Sequence, residues 1–133
     1  MDSLKGKIVL VTGGTRGIGK AIAIELIKEG ATVILNYSKD DLSAEETLKE
    51  IEALGGYAKL YKGDISKYEI CKSMINFIIS TFGKIDILIN NAAISFIGLF
   101  MDFSDININD IFGINVLGAM YLSKEAIPHM LSK

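Results

Sequence analysis

The sequence predicts an α/β fold: the first half of a doubly wound parallel sheet, with strand order 3-2-1-4 and helices on both faces. Three observations predict it. Apolar, β-branched runs alternate with helical patterns along the chain, and units of this length build parallel sheets. A glycine-rich turn, Thr12-Gly13-Gly14-Thr15-Arg16-Gly17-Ile18-Gly19, joins the first run to the first helix. Polar residues follow directly on the strand ends, where open α/β sheets bind their ligands. The chain has 133 residues, half of them apolar, enough for one modest domain with a core of its own. That domain is read as spanning residues 1–133.

The first strand is Lys7–Val11, a short apolar run of the kind buried on both faces. The first helix follows from Gly17 to Glu29, with Ile18, Ala21, Ile22 and Leu26 on one face and Gly30 closing it. Thr32–Asn36 is the second strand. The second helix covers Leu42–Leu54, where Ser43-x-x-Glu46 fits a capping box and Gly55-Gly56 ends the helix. Tyr57–Lys62 is the third strand. The third helix spans Lys67–Phe82, opened by Ser66-x-x-Glu69 and burying Ile70, Met74, Phe77 and Ile78. Ile85–Asn90 is the fourth strand. A loop through Met101 then leads to a long helix, Ile108–Leu131, apolar nearly all round, as in a helix packed on both sides. Right-handed crossovers make 3-2-1-4 the natural strand order and put the ligand crevice between strands one and four.

Composition narrows the partners. Fourteen basic and sixteen acidic residues give a net charge of −2, and no basic run points to nucleic acid. No apolar segment reaches bilayer length, since Ile87–Met101 contains Asn90 and Asn91. The N-terminus has no signal-peptide pattern. A cytoplasmic protein away from membranes is therefore expected. The single cysteine, Cys71, excludes an internal disulfide and reads as a small buried residue. His129 is the only histidine and lies far from it in sequence.

The glycine turn has the order strand, turn, helix N-terminus, which suits an anion such as a phosphate. Its spacing, Gly13-x-x-x-Gly17-x-Gly19, is not the GxGxxG dinucleotide fingerprint. Gly14 to Lys20 also fits GxxxxGK of a P-loop, but Ala21 follows where a magnesium-holding hydroxyl is needed. A glycine turn without ligand is the bland alternative.

The turn more closely resembles the TGxxxGxG pattern of the short-chain dehydrogenase/reductase family, whose Rossmann-type domain binds NAD(H) or NADP(H). Asn90-Asn91-Ala92-Ala93 resembles that family's NNAG motif, with Ala93 in place of glycine. The resemblance covers essentially the whole chain, and the Asn36-Tyr37-Ser38 stretch is most similar to the 3-oxoacyl-carrier-protein reductase type. It implies cofactor contacts from Gly13, Gly14, Thr15, Arg16, Gly17, Ile18 and Gly19. It places Asp64, with the Ile65 backbone, at the adenine, although Asp64 also reads as an Asx-turn residue. Asn91 and Ala92 fall beside the nicotinamide ribose. NAD-selecting dehydrogenases put Asp or Glu at the end of strand two to accept from the ribose 2′-hydroxyl. Asn36 stands there instead, with Ser38 nearby and Arg16 able to meet a 2′-phosphate, so NADP(H) is preferred over NAD(H). The alternative for Arg16 is a solvated turn residue, with Asp40 and Asp41 near the start of the second helix. Asn115, in Asn115-Val116-x-Gly118, matches the family's catalytic Asn, which holds a water in the proton relay. Read on its residues alone, it is a core Asn bonded to backbone.

The family's chemistry also needs a Ser and a Tyr-x-x-x-Lys, with Tyr as general acid/base. Of the five tyrosines only Tyr68 has Lys at +4, Lys72, and it falls in the third helix, where the family has no active-site group. Two functions are therefore expected. The first is the cofactor half of an oxidoreductase that moves hydride between NADP(H) and a small carbonyl or alcohol, inactive alone and a homo-oligomer as the parent protein. The second is a non-catalytic nucleotide-binding remnant. A stable remnant would carry polar residues in place of some of Ile87, Leu88, Ile89, Phe112 and Leu117, which favours the first.

Overall fold

The computed structural model describes residues 3–132. Its four strands are β1 (Ile8–Thr12), β2 (Thr32–Tyr37), β3 (Ala58–Lys62) and β4 (Ile87–Ile89), all parallel, in the order β3-β2-β1-β4. The helices between them are α1 (Gly17–Lys28), α2 (Asp41–Ala53) and α3 (Tyr68–Phe82). β1 is buried along its whole length because both faces of the sheet are covered. Leu10 and Ile34 point to one face and pack with Met74, Ile75 and Ile78 of α3. Val9, Val11, Val33 and Leu35 point to the other and pack with Ala23 and Ile27 of α1 and Ile51 of α2. The predicted doubly wound half-sheet is thus observed, with its order.

The face that α1 buries differs from the expected one. Gly19, Ala23 and Ile27 meet the sheet, while Ile18 is 75% exposed and Ile22 and Leu26 are half-buried. A Cβ on Gly19 would overlap the Gly13 carbonyl oxygen, so the helix packs closely through its smallest residues. Both α1 and α2 end as expected. Gly30 N–H and Ala31 N–H donate to Ile27 and Leu26 carbonyls, and Gly55 and Gly56 repeat the arrangement on Glu52 and Ile51.

Helix starts are the other corrections. Asp40, not Ser43, caps α2: its carboxylate accepts from Ser43 N–H at 3.0 Å and from Ser43 Oγ at 2.7 Å. α3 has no side-chain cap, because Ser66 Oγ donates to Asp64 at 2.7 Å instead. Met74 and Ile78 are buried as expected, with Ile70 and Phe77 half-buried beside them. β4 is shorter than its apolar run. At its start the Asp86 carboxylate accepts Ile8 N–H at 2.8 Å in place of a ladder carbonyl.

After β4 the chain makes a 3₁₀ turn, Phe100–Asp102, and then one continuous helical rod: α4 (Asp105–Phe112), a π stretch (Gly113–Gly118) and α5 (Ala119–Leu131). The rod starts three residues before the expected Ile108, because Ser104 and Asn107 form a reciprocal capping box. It is also less buried than an all-apolar helix implies. Leu122 and Ala126 pack on α3, whereas Phe112, Val116, Leu117 and Met120 are exposed. α5 is fastened to α3 by Tyr68, whose hydroxyl donates to Glu125 at 2.6 Å and accepts from Lys124 Nζ at 3.0 Å. Tyr68 therefore belongs to a helix–helix contact, while Lys72 is exposed on α3.

Cys71 lies in the α3 core with no exposed surface, its thiol donating to the Ile65 carbonyl. Burial, then the charges of Asp64 and Glu125, pushes the thiol up to about 11 from 9.0. The folded chain therefore keeps a proton that the unfolded chain loses, so this contribution is complete below pH 9.0 and is lost as pH rises to about 11. The stability of the wild type should fall more steeply than that of Cys71→Ala over that window, by at most about 1.4 kcal/mol per pH unit. Urea denaturation at stepped pH checks the difference in slopes.

Candidate functional site

The site forms where β1 and β4 run out of ladder partners at the same end of the sheet. Thr12, the last residue of β1, accepts Asn91 N–H at 3.0 Å and Ala92 N–H at 2.9 Å on one hydroxyl, and donates that hydroxyl to the Ile89 carbonyl at 3.4 Å. Asn91 returns the contact, donating Nδ2 to the carbonyls of Thr12 at 3.1 Å and Gly13 at 3.2 Å. The glycine turn is thereby tied to the start of the loop after β4. Gly13 and Gly17 have φ of +62° and +56°, which side-chain-bearing residues rarely adopt.

Two further ties hold the turn. Gly14 N–H donates to the Asn36 carbonyl at 3.1 Å, and Thr47 of α2 donates its buried hydroxyl to the Thr15 carbonyl at 2.6 Å. Asn36 is buried and donates to the carbonyls of Tyr61 at 3.2 Å and Gly63 at 3.1 Å. It does not end β2, which continues to Tyr37. The Tyr37 hydroxyl donates to Asp41 at 2.8 Å, which raises its pKa, and the same bond, with Lys62, lowers that of Asp41.

A cleft of about 620 Å³ opens over this end of the sheet. Of the residues expected at the cofactor, Gly13, Thr15, Arg16, Gly17, Asn36, Ser38, Ile65, Asn91 and Ala92 line it. Five expected residues do not. Gly14 packs against Leu35, Gly19 sits under Gly13, and Ile18 points to solvent. Asp64 folds back as an Asx turn, accepting Ser66 N–H at 2.9 Å. Asn115, in the π stretch, makes a two-point contact with the Ile94 backbone, accepting its N–H and donating to its carbonyl, each at 2.8 Å. It is bonded to backbone as one reading held, but it is exposed and not in the core. Asn90 donates to Ser123 Oγ at 3.3 Å and so ties the loop to α5.

The floor of the cleft is the start of α1. That helix has no side-chain cap and no acidic residue in its first turn, unlike α2 and α4. A Cβ on Gly17 would meet nothing within 4 Å. Uncapped N–H groups facing open space suit an anion. Arg16 reaches Asp40 at 3.4 Å from the rim, with its side chain 75% exposed. The Asp40 carboxyl is held below its ordinary range by its bonds to Ser43 and, to a smaller extent, by Arg16. Sequence reasoning missed Thr12 and Thr47; it placed Asp40 correctly near the start of α2 but not as the partner of Arg16. The signal for Thr12 was present: a hydroxyl at the end of an apolar strand, with two adjacent asparagines ending another.

Residues 7–133 match the family of the short chain dehydrogenases. The chain belongs to that family. It is 37% identical over 131 residues to L-rhamnose 1-dehydrogenase (NAD(P)(+)) of Sphingomonas sp., covering 98% of this chain and 52% of that protein. The chain thus spans about half the length of such relatives. It is 49% identical over 89 residues to the short-chain dehydrogenase/reductase homolog YusS of Bacillus subtilis; these are 67% of this chain and 82% of that protein, which is itself short. A crystal structure of a short chain dehydrogenase from Burkholderia cenocepacia in complex with NADP superposes with a TM-score of 0.91 at 36% identity, over 96% of this chain and 52% of that one.

Replacing Thr12 by Val keeps its shape and leaves Asn91 N–H and Ala92 N–H without their shared acceptor. Thr12→Val should cost about 1–3 kcal/mol of stability and Thr12→Ser less than about 1 kcal/mol. Urea midpoints of the two variants check the order.

Proposed function

We propose that residues 1–133 form the NADP(H)-binding domain, incomplete at its C-terminus, of an oxidoreductase that transfers hydride between the cofactor and a small carbonyl or alcohol. The observation that carries this reading is the uncapped N-terminus of α1, opening into the cleft beneath the glycine turn. The donor set fits the group: backbone N–H groups for a diphosphate, and a guanidinium on the rim for a further phosphate. The turn from Gly13 to Gly19 takes the diphosphate, Arg16, Asn36 and Ser38 the adenosine ribose, Asp64 and Ile65 the adenine, and Asn91 and Ala92 the nicotinamide ribose. Asn36 acts there by shaping the wall, since its amide is committed to β3. Bound NADPH supplies the hydride from its nicotinamide.

The preference for NADP(H) over NAD(H) rests on the end of β2, where Asn36-Tyr37 and the following Ser38 offer no carboxylate, and on Arg16. A relative named for NAD(P)+ and a neighbour holding NADP support the cofactor class. Asn115 belongs to the catalytic set of the whole protein, where its contact with Ile94 sets the loop after Asn91. The 133 residues alone bind cofactor without turnover, because the tyrosine of the one Tyr-x-x-x-Lys spacing they contain, Tyr68, is engaged between α3 and α5. The parent is a homo-oligomer in the cytoplasm without nucleic-acid or membrane partners. Among the described residues no helix is long and apolar enough to cross a membrane. The short B. subtilis homolog favours a second reading, a binding module without chemistry of its own. Turnover by the whole protein separates the two.

Titration of intrinsic NADPH and NADH fluorescence tests the binding claim. NADPH should bind more tightly. Arg16→Ala should weaken NADPH about tenfold, as for a charged hydrogen-bond donor, and leave NADH within about twofold. Equal affinities, unmoved by the substitution, would contradict the preference.

A further inference from the structure

We propose that Asp40 is a specificity-determining residue: its carboxylate holds Arg16 and thereby sets how strongly the site prefers a 2′-phosphate. This rests on the cofactor reading given above. The two partners are held unequally. Asp40 is fixed by the start of α2, with Oδ1 accepting Ser43 N–H at 3.0 Å and Oδ2 accepting Ser43 Oγ at 2.7 Å. Arg16 is held to Asp40 by one contact, Nη1 to Oδ2 at 3.4 Å, and 75% of its side chain is exposed. The carboxylate is therefore the stationary partner and the guanidinium the movable one.

Both residues line the cleft beside Asn36, Tyr37 and Ser38, at the end of β2. A guanidinium that engages a 2′-phosphate must leave Asp40 or share itself. A phosphate monoester carries more charge than a carboxylate and accepts guanidinium in a bidentate way, so it wins the exchange. The broken ion pair is charged against NADPH and not against NADH, which offers Arg16 nothing stronger than a hydroxyl. An exposed pair of this kind is worth about two- to fivefold in an equilibrium. Asp40 thus moderates the preference that Arg16 creates, and does so through Arg16, without contact to the cofactor.

Asp40→Asn removes the charge and keeps an oxygen to cap α2, as does Asp40→Ser. Affinities for NADPH and NADH are measured for both variants, alone and with Arg16→Ala, and melting temperatures identify the variant that retains the fold. NADPH should bind about two- to fivefold more tightly to that variant than to the wild type, with NADH changed less than about 1.5-fold. In the Arg16→Ala background the gain should vanish. Unchanged or weakened NADPH binding would overturn the proposal, as would an equal gain with NADH or in the Arg16→Ala background. If NADPH binds and Arg16→Ala weakens it while the Asp40 variants do nothing, the role of Asp40 fails and the cofactor reading stands. If no nicotinamide cofactor binds the wild type, the cofactor reading itself fails.

Discussion

Two parallel strands that stop at the same edge of a sheet leave backbone groups without ladder partners, and a buried unpaired amide or carbonyl is costly. Here the debt at the ends of β1 and β4 is met by two side chains. Thr12 takes two N–H groups on one hydroxyl, and Asn91 gives its amide to two carbonyls. Among the described residues no buried side-chain polar atom is left without a partner. The same bonds fix the path of the glycine turn, because Asn91 holds Gly13 where its positive φ begins the bend. The start of α1, the wall at Asn36 and the cleft between them all inherit their positions from that knot.

The division of labour that results is specific. Asn91, Asn36, Thr47 and Thr12 hold backbone, and their polar atoms are largely engaged. Available to a ligand are the uncapped helix start, the exposed guanidinium of Arg16 and, at the same rim, Ser38 and Lys39. On the proposed reading, the diphosphate is recognised by backbone N–H groups that side chains hold in place, and the rim adds side chains of its own. Asn115 extends the pattern: it sets the loop after Asn91 by gripping Ile94 from the π stretch. π turns are rare and occur mostly as single-turn bulges inside α-helices, frequently at functional sites.

The fold and the cleft were legible in the sequence for identifiable reasons. Strands buried on both faces leave unbroken β-branched runs, and a glycine turn at a strand end marks the crevice. The buried face of α1 was not legible, because hydrophobicity points to Ile18 and Ile22 while close packing selects Gly19 and Ala23. The cap of α2 was misplaced because Ser43-x-x-Glu46 has the right spacing, yet Asp40 stands one turn earlier as a stronger acceptor. The π stretch has no periodic signature. The true duties of Asn36 and Asn91 follow from three-dimensional register, which aligns Asn36 with Thr12 and Tyr61 across the sheet. The row of Phe112, Val116, Leu117 and Met120 was legible as apolar, but not as exposed over these 133 residues, about half the length of such relatives as the rhamnose dehydrogenase.

On the proposed reading, the Thr12–Asn91 knot presents the start of α1 as the cofactor's phosphate site. Backbone amide NMR during titration with NADPH addresses it residue by residue. The largest shifts should fall on Gly13, Gly17, Ile18 and Gly19, with Asn91 and Ala92 following at the same ligand concentration. Shifts that leave the glycine turn untouched, or that cluster on the opposite end of the sheet around Gly30 and Gly55, would contradict it.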